Sequence, residues 1–123
     1  PDIGAASNAF LVGHELGHNF GARHTHCANA ANGNGDTGVG TIDQCFNGDS
    51  GCYTGTPSCP TSGPGAPKGT LMSYCHRGGA NGANCMSNVL QFHPTHVSQL
   101  RANIAATPLT CLRLDGIFAT GFQ

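Results

Sequence analysis

The segment HELGHNFGARH, residues 14–24, limits what this chain can be more than any other stretch. It contains three of the seven histidines and the chain's only glutamate, Glu15. Residues four apart lie on one face of an α-helix, so His14 and His18 point to the same side and can grip one metal ion. Glu15 borders that face. It is displaced from an obvious ligand position but near enough to reach a water on the metal.

A third ligand requires a break in the helix. His24 lies six residues after His18, which a straight helix would place on another face. Gly21 can adopt the positive φ that ends helices, so we predict a turn there that returns His24 to the histidine face. Three imidazoles leave a fourth zinc position open for water, which is typical of catalytic zinc. Zinc lowers the pKa of such a water to about 7, and Glu15 can take its proton. His26 is the competing ligand, but the Gly21 spacing favours His24.

Apolar periodicity predicts two helices. The first covers residues 3–20, and its apolar positions recur every fourth residue opposite the histidines, at Val12, Leu16 and Phe20. The second covers HPTHVSQLRANIAA, with Pro94 in its first turn and Pro108 after its end. Its predicted apolar face consists of Val97, Leu100 and Ile104. The preceding SNVLQF is either a short strand or an extended connection.

Residues 25–70 are rich in Gly, Asn, Ser, Thr and Pro, which is typical of turns. Cysteines fall in or beside this region at positions 27, 45, 52 and 59. We therefore predict a long irregular region held by disulfides. Within it, NGNGDTG at 32–38 is interpreted as a turn. Calcium binding is the weakly supported alternative, since no Glu closes the loop as in an EF-hand.

Composition narrows the class of protein. A hydrophobic fraction of 38%, no Trp and 19 Gly indicate a thin core, and seven cysteines indicate disulfides and secretion. Because seven is odd, at least one cysteine lacks a partner within the chain. The net charge is −1 and the five Lys and Arg are scattered, which argues against nucleic-acid binding. No apolar run approaches the roughly 18 residues of a membrane span.

The zinc motif and the later LMSYCH, residues 71–76, together resemble the metzincin zinc endopeptidases, in which a Met-turn follows the long motif. HNFGARHTHC, IDQC and FHPTHVSQL are most similar to the adamalysin/reprolysin branch, and within it to bacterial-type secreted members. The resemblance implies one catalytic Zn²⁺ and a protein or peptide substrate. It implies metal ligands at His14, His18 and His24, with Glu15 catalytic and Met72 an apolar floor.

Two positions extend or depart from that resemblance. Tyr74 follows Met72 by two residues, as in astacins and serralysins, where such a Tyr contacts zinc or stabilises the oxyanion. The alternative is a buried Tyr hydrogen-bonded under the site. Reprolysins usually carry Asp directly after the third His, where this chain has Thr25.

The resemblance also implies a partial catalytic domain. Metzincins normally have an upper β-sheet subdomain before the active-site helix, and this chain starts at that helix. The expected fold is α+β and metzincin-like, mainly two helices and disulfide-pinned loops, with the upper sheet absent. Its parts are the helix and zinc motif (1–24), the loop region (25–70), and the Met-turn with the C-terminal helix (71–123). A missing upper segment or a second copy is then expected to cover the apolar face of the first helix. Cys111, in the closing Cys-Leu pair, is predicted to be unpaired, because reprolysins bridge it to the upper subdomain.

The remaining histidines, His76, His93 and His96, are interpreted as solvated or hydrogen-bonded structural residues. No Gly-x-Ser-x-Gly elbow or thiol-protease pattern occurs. The predicted function is a zinc-dependent endopeptidase. The alternatives are a non-catalytic zinc-binding fragment and a disulfide-framed interaction module in which the histidines are incidental.

Overall fold

The computed structural model describes residues 5–38 and 40–108. It contains the helix α1 (Ala5–Asn19), a short 3₁₀ helix (Thr25–Cys27) and the helix α2 (Pro94–Ala106). Both predicted helices are present. The strand-like pairing of the described residues consists of two isolated antiparallel bridges, Asn29 with Thr41 and Phe46 with Gly82. SNVLQF is therefore not a strand but an irregular connection with a bend at Leu90 and Gln91. The two bridges are all that the described residues show of the expected β structure.

Helix α1 ends in a two-bond turn around Gly21, whose φ is 94°. The Gly21 N–H donates to the His18 carbonyl and the Ala22 N–H donates to the Gly17 carbonyl, both at 2.9 Å. This pair of bonds is the Schellman motif, and a residue without a Cβ adopts its left-handed conformation at least cost. The predicted break at Gly21 is confirmed.

Helix α2 begins as its sequence predicts. Pro94 occupies the first turn, and the Nδ1 atom of His93 accepts a hydrogen bond from the Thr95 N–H at 3.2 Å. The predicted apolar face is only partly buried, however. Val97 and Leu100 are half-buried and Ile104 is 42% exposed. The wholly buried residue of the helix is His96, next to Val97, whereas Asn103, which donates to the Phe20 carbonyl at 2.9 Å, is exposed.

Three disulfides hold the region between the helices: Cys27–Cys52, Cys45–Cys75 and Cys59–Cys85. Their sequence separations are 25, 30 and 26 residues. Loops of this length correspond to about 3.5 kcal/mol of stabilisation each in the chain-entropy account. The prediction of a disulfide-pinned loop region is confirmed. Cys111 lies outside the described residues, while the other six cysteines are all paired with one another.

The core between these bridges is small and partly polar. Met72, Cys45 and Cys75 are fully buried, and so are the polar side chains of Thr25 and His26.

Segment 32–38 is a series of tight turns, in which side-chain oxygens of Asn32, Asn34 and Asp36 each accept a backbone N–H two residues on. These bonds are those of Asx turns, so the turn interpretation is supported and the calcium alternative gains nothing.

One side of α1 faces solvent although it is apolar. Four large apolar residues on this side have exposed fractions from 42% to 59%: Leu11, Val12 and Leu16 in the helix and Phe20 just after its end. The opposite side carries the histidines and packs against the segment containing Leu71 and Met72. Among the described residues, no helix combines the length and apolar character needed to cross a membrane.

Candidate metal centre

Three imidazoles meet where the turn at Gly21 brings the chain back against α1. The Nε2 atom of His24 lies 3.2 Å from Nε2 of His14 and 3.1 Å from Nε2 of His18. A tetrahedral zinc ion bound at about 2.05 Å from each nitrogen separates its ligand nitrogens by about 3.3 Å. The three side chains predicted as metal ligands are thus brought together at the spacing that such an ion requires.

The far nitrogens of two of these rings are fixed by backbone carbonyls. His14 Nδ1 lies 2.8 Å from the Leu71 carbonyl oxygen, and His18 Nδ1 lies 2.8 Å from the Ala22 carbonyl oxygen. A carbonyl only accepts, so each Nδ1 carries the proton and donates it. In the neutral rings each Nε2 therefore presents a lone pair towards His24. Lone pairs converging in this way fit a cation, and second-sphere bonds of this kind orient metal-binding histidines.

The third ring is kept neutral by its surroundings. Burial, followed by the neighbouring His18 and His14, lowers the pKa of His24 to about 4, against the opposing influence of Asp49. Since only neutral imidazole binds a metal, His24 is in its ligand form at pH 7.

His26, the competing ligand, faces another way. Its Nε2 atom lies 2.8 Å from Asp49 Oδ2, and its ring is fully buried. The same carboxylate oxygen lies 3.7 Å from His24 Nδ1. Asp49 was not identified from the sequence, because it lies 25 positions after His24 and no spacing rule connects the two residues.

Met72 packs against α1 at Gly17, the residue before His18. It is fully buried, and a Cβ on Gly17 would come within 2.5 Å of its sulfur. Residue 17 must therefore lack a side chain for α1 to approach the turn this closely. The Thr25 N–H also donates to the Met72 carbonyl at 3.1 Å, which ties the turn to the residue after the third histidine.

A buried polar network holds this turn from the other side. Ser73 Oγ donates to Asp43 Oδ2 at 2.7 Å, and Thr25 Oγ1 donates to Ser73 Oγ at 3.1 Å. The resemblance to reprolysins leads one to expect Asp at position 25. Here the carboxylate that reaches the turn comes from Asp43, 18 positions further along the chain. Sequence reasoning missed Asp43 for the same reason as Asp49.

The other two predicted site residues flank the histidines. Tyr74 is partly buried, with its ring centroid 4.0 Å from that of His24 and 6.0 Å from that of His14. The guanidinium of Arg77 lies 5.0 Å from the centroid of the Tyr74 ring, within the range of a cation–π contact. Glu15 lies on α1 between the two helical ligands and is solvent-exposed.

An open cavity of about 380 Å³ lies beside this group. Phe10 and Leu90 form apolar parts of its wall, and His76 and Asn88 form polar parts. The Phe10 ring is centred 5.8 Å from the His14 ring, so the cavity adjoins the metal-ligand cluster.

Two further groups of metal-binding residue types occur among the described residues. One contains the disulfide-bonded Cys27 beside His24, His26 and Asp49, and the other consists of the disulfide-bonded Cys45, Cys75 and Cys85. A disulfide offers no thiolate to a metal. Within the described ranges, His14, His18 and His24 form the one such group that contains no cysteine.

The remaining histidines differ from one another. His93 caps α2 and His76 is exposed, in agreement with structural or solvated roles. The interpretation was wrong for His96. It is fully buried, and neither ring nitrogen has a hydrogen-bond partner among the described residues. Burial lowers its pKa to about 4, with smaller contributions from His93 and His18.

Comparison with known families agrees with this geometry. A reprolysin-type family model, metallo-peptidase family M12, matches residues 2–89, more than two thirds of the chain. The chain belongs to metallo-peptidase family M12. The matched range includes the three histidines, the three disulfides and Met72, whereas α2 lies beyond it. No curated protein and no solved structure matches the chain. Membership of this M12 family indicates a protease-type enzyme, and zinc is the metal its peptidases typically use.

Proposed function

We propose that this M12 chain is a zinc-dependent endopeptidase of the adamalysin/reprolysin-like metzincins, of the bacterial secreted type, and that it hydrolyses peptide bonds in proteins or peptides. The observation that carries the proposal is the approach of His14 Nε2 and His18 Nε2 to His24 Nε2, at 3.2 Å and 3.1 Å, while the Nδ1 atoms of His14 and His18 donate to backbone carbonyls. One zinc ion would be held by His14, His18 and His24.

Each residue near the centre has a proposed role. A bound zinc would act as a Lewis acid, making a water easier to deprotonate and polarising the scissile carbonyl. Glu15, exposed between the two helical ligands, accepts the proton of the attacking water and passes one to the leaving amine. Tyr74, packed against His24, donates a hydrogen bond to the oxyanion. Met72 supports the ligands from below and does not bind the metal.

The substrate would lie along the face that carries Glu15. The cavity next to His14 would take an apolar side chain adjacent to the scissile bond, since Phe10 and Leu90 line it. The exposed apolar face of α1 remains a proposed contact with an upper-subdomain segment or with a second copy. Three disulfides support a secreted protein, because such bonds persist in oxidising compartments.

The test is the substitution Glu15→Gln, which keeps the shape of the side chain and removes its basicity. We expect unchanged zinc stoichiometry and a fall in peptidase turnover of about 10²–10⁴-fold, the usual contribution of a general base. Cleavage of an unstructured protein and metal analysis of the same sample measure the two effects. Asp36→Asn is the matched control, since it removes one exposed carboxylate from a distant turn.

The outcomes separate the candidate functions. Unchanged turnover in the Glu15 variant would remove the proposed mechanism. If the wild-type chain bound one zinc ion but the zinc-loaded chain cleaved no substrate, the non-catalytic zinc-binding fragment would be supported. A chain without stoichiometric zinc would support the disulfide-framed interaction module.

A further inference from the structure

One carboxylate oxygen lies between two imidazoles at the back of the metal centre. Asp49 Oδ2 is 2.8 Å from His26 Nε2 and 3.7 Å from His24 Nδ1. The other nitrogen of His24, Nε2, faces His14 and His18. Asp49 therefore stands at the end of the third ligand ring that points away from the metal.

The three ligand rings are not held alike. His14 and His18 each donate Nδ1–H to a backbone carbonyl at 2.8 Å. His24 Nδ1 instead faces the Asp49 carboxylate, whose Oδ2 lies 3.7 Å away. A carboxylate opposite a metal-binding nitrogen favours the tautomer that leaves Nε2 free, and it makes the ring a stronger donor.

Asp49 is itself held in place. His26 is fully buried, so its hydrogen bond to Asp49 is shielded, while the Asp49 side chain is 41% exposed. The His26 carbonyl accepts the Tyr53 N–H at 2.8 Å, and the adjacent Cys27 is bonded to Cys52. The loop that carries Asp49 is thus fastened to the segment that carries His24 at three neighbouring points.

We propose that Asp49, anchored by His26, is a positioning residue that orients His24 and strengthens metal binding at this centre. The inference rests on the proposed metal centre and assigns a role to two residues that touch neither the metal nor the substrate. His26 then acts on the centre through Asp49, not as a ligand.

The zinc affinity of the full chain tests this directly, measured at pH 7.5 by competition with a chromophoric chelator. We expect Asp49→Asn, which keeps the shape and removes the charge, to weaken zinc binding about 10–100-fold. Asp49→Glu should stay within about threefold of the wild type, because it retains the carboxylate. Asp36→Asn removes a distant exposed carboxylate and should change nothing.

A double-mutant cycle tests the anchor. His26→Gln keeps a side-chain N–H donor and should bind zinc more tightly than His26→Leu, which removes it. Adding Asp49→Asn to His26→Leu should cost little more than either change alone, because both act on one contact. The visible absorption spectrum of the cobalt-substituted protein, which reports on the ligands, should change with Asp49→Asn. Across the Asp49 and His26 variants, the melting temperature of the zinc-free protein should not change in parallel with the zinc affinity.

Each of the following results would overturn the inference, and they are distinguishable. Asp49→Asn that binds zinc as tightly as the wild type refutes the role of Asp49 and leaves the metal centre intact. Equal losses in Asp49→Asn and Asp36→Asn would indicate a general charge effect. A wild-type chain that binds no zinc overturns the metal centre and this inference with it. If Asp49→Asn fails to fold, weakened binding in Asp49→Glu comparable to that in His26→Leu would also contradict the proposal.

Discussion

Helix α1 and the irregular region between His24 and α2 build the same centre by different means. Helix α1 places two ligands through its own periodicity, and one turn at Gly21 brings in the third. The irregular region has little regular structure, yet it supplies most of what holds those ligands. The Leu71 carbonyl, for instance, binds His14 across 57 residues of sequence. The ligands are encoded locally, whereas their orientation depends on contacts that are distant in sequence.

Different forces stabilise the two regions. The loop region is closed by three disulfides and by buried polar bonds such as that between Ser73 and Asp43. Helix α1 contains no cysteine, and the large apolar residues of its outer face are exposed. Perturbations of the loop region should therefore cost stability, while perturbations of the outer face of α1 should not.

The largest effect is expected from removing the fully buried Cys45–Cys75 bridge by a double substitution to Ala. The zinc-free protein should lose about 2–5 kcal/mol of unfolding free energy, the usual cost of a native disulfide in a small domain. Zinc binding should also weaken, because Cys75 lies three residues after Met72. Urea denaturation measures the first effect and chelator competition the second.

The Cys59–Cys85 pair is the control for that experiment, since it closes a loop of similar length. Its removal should lower stability to a comparable degree and leave zinc affinity near that of the wild type. If loss of Cys45–Cys75 left both quantities unchanged, the loop region would not be held as described.

His96 provides a pH-dependent test of the second region. Its pKa is about 4 in the folded chain against 6.5 when unperturbed. Between these values the unfolded state binds more protons, so stability falls as the pH is lowered through that window. The difference corresponds to about 2 kcal/mol lost between pH 8 and pH 5.

His96→Leu should abolish that share of the pH dependence. Neither ring nitrogen has a hydrogen-bond partner among the described residues, so the substitution breaks no such bond there. We expect similar stabilities of the two zinc-free proteins at pH 8, and a more stable variant at pH 5. If the unfolding free energies of the two proteins, measured in urea, changed in parallel with pH, His96 would not be protected from protonation.

Gly21→Ala tests the turn that connects helix α1 to the irregular region. A Cβ at φ 94° is strained, and it would also lie 2.6 Å from Asn103 Nδ2. We expect a loss of about 1–2 kcal/mol in stability, since left-handed backbone is costly for a residue with a side chain. Zinc affinity should fall as well, because the turn carries His24. Gly51→Ala, at φ 76° in an exposed loop, is the control that shares the strain but not the position. If Gly21→Ala and Gly51→Ala lost the same stability and Gly21→Ala kept the zinc affinity of the wild type, the turn at Gly21 would not be needed to place His24 at the metal centre.

The smallest effect is expected on the outer face of α1. Val12 is 59% exposed, so Val12→Ser should change unfolding free energy by less than about 0.5 kcal/mol in the isolated chain. Phe10→Ser, on the cavity side of the same helix, is expected to cost more because Phe10 is partly buried against the His76 ring. A large loss in Val12→Ser would mean that this face is covered, for example by a second copy, and sedimentation velocity would then show a dimer.

The sequence predicts helix α1 and its ligands better than it predicts the contacts made by the irregular region. Spacing within about twenty residues can be recognised in the sequence without a structure. It was enough to predict the helices, the turn at Gly21 and the three converging histidines. Asp43 and Asp49 are single carboxylates in a turn-rich region, and contacts distant in sequence bring them to the centre, such as Ser73 with Asp43 and His26 with Asp49. His96 shows the other limit. Its helix was predicted, but the side that faces inward is set by contacts such as that between Asn103 and the end of α1.

The central claim is that His14, His18 and His24 hold one zinc ion with one position left free. X-ray absorption spectroscopy of the zinc-loaded chain tests it most directly. The account predicts three imidazole nitrogens and one lighter oxygen ligand at about 2.0–2.1 Å, with the signal lost in His24→Ala. A sulfur ligand, a fourth imidazole, or the same spectrum in His24→Ala would contradict it.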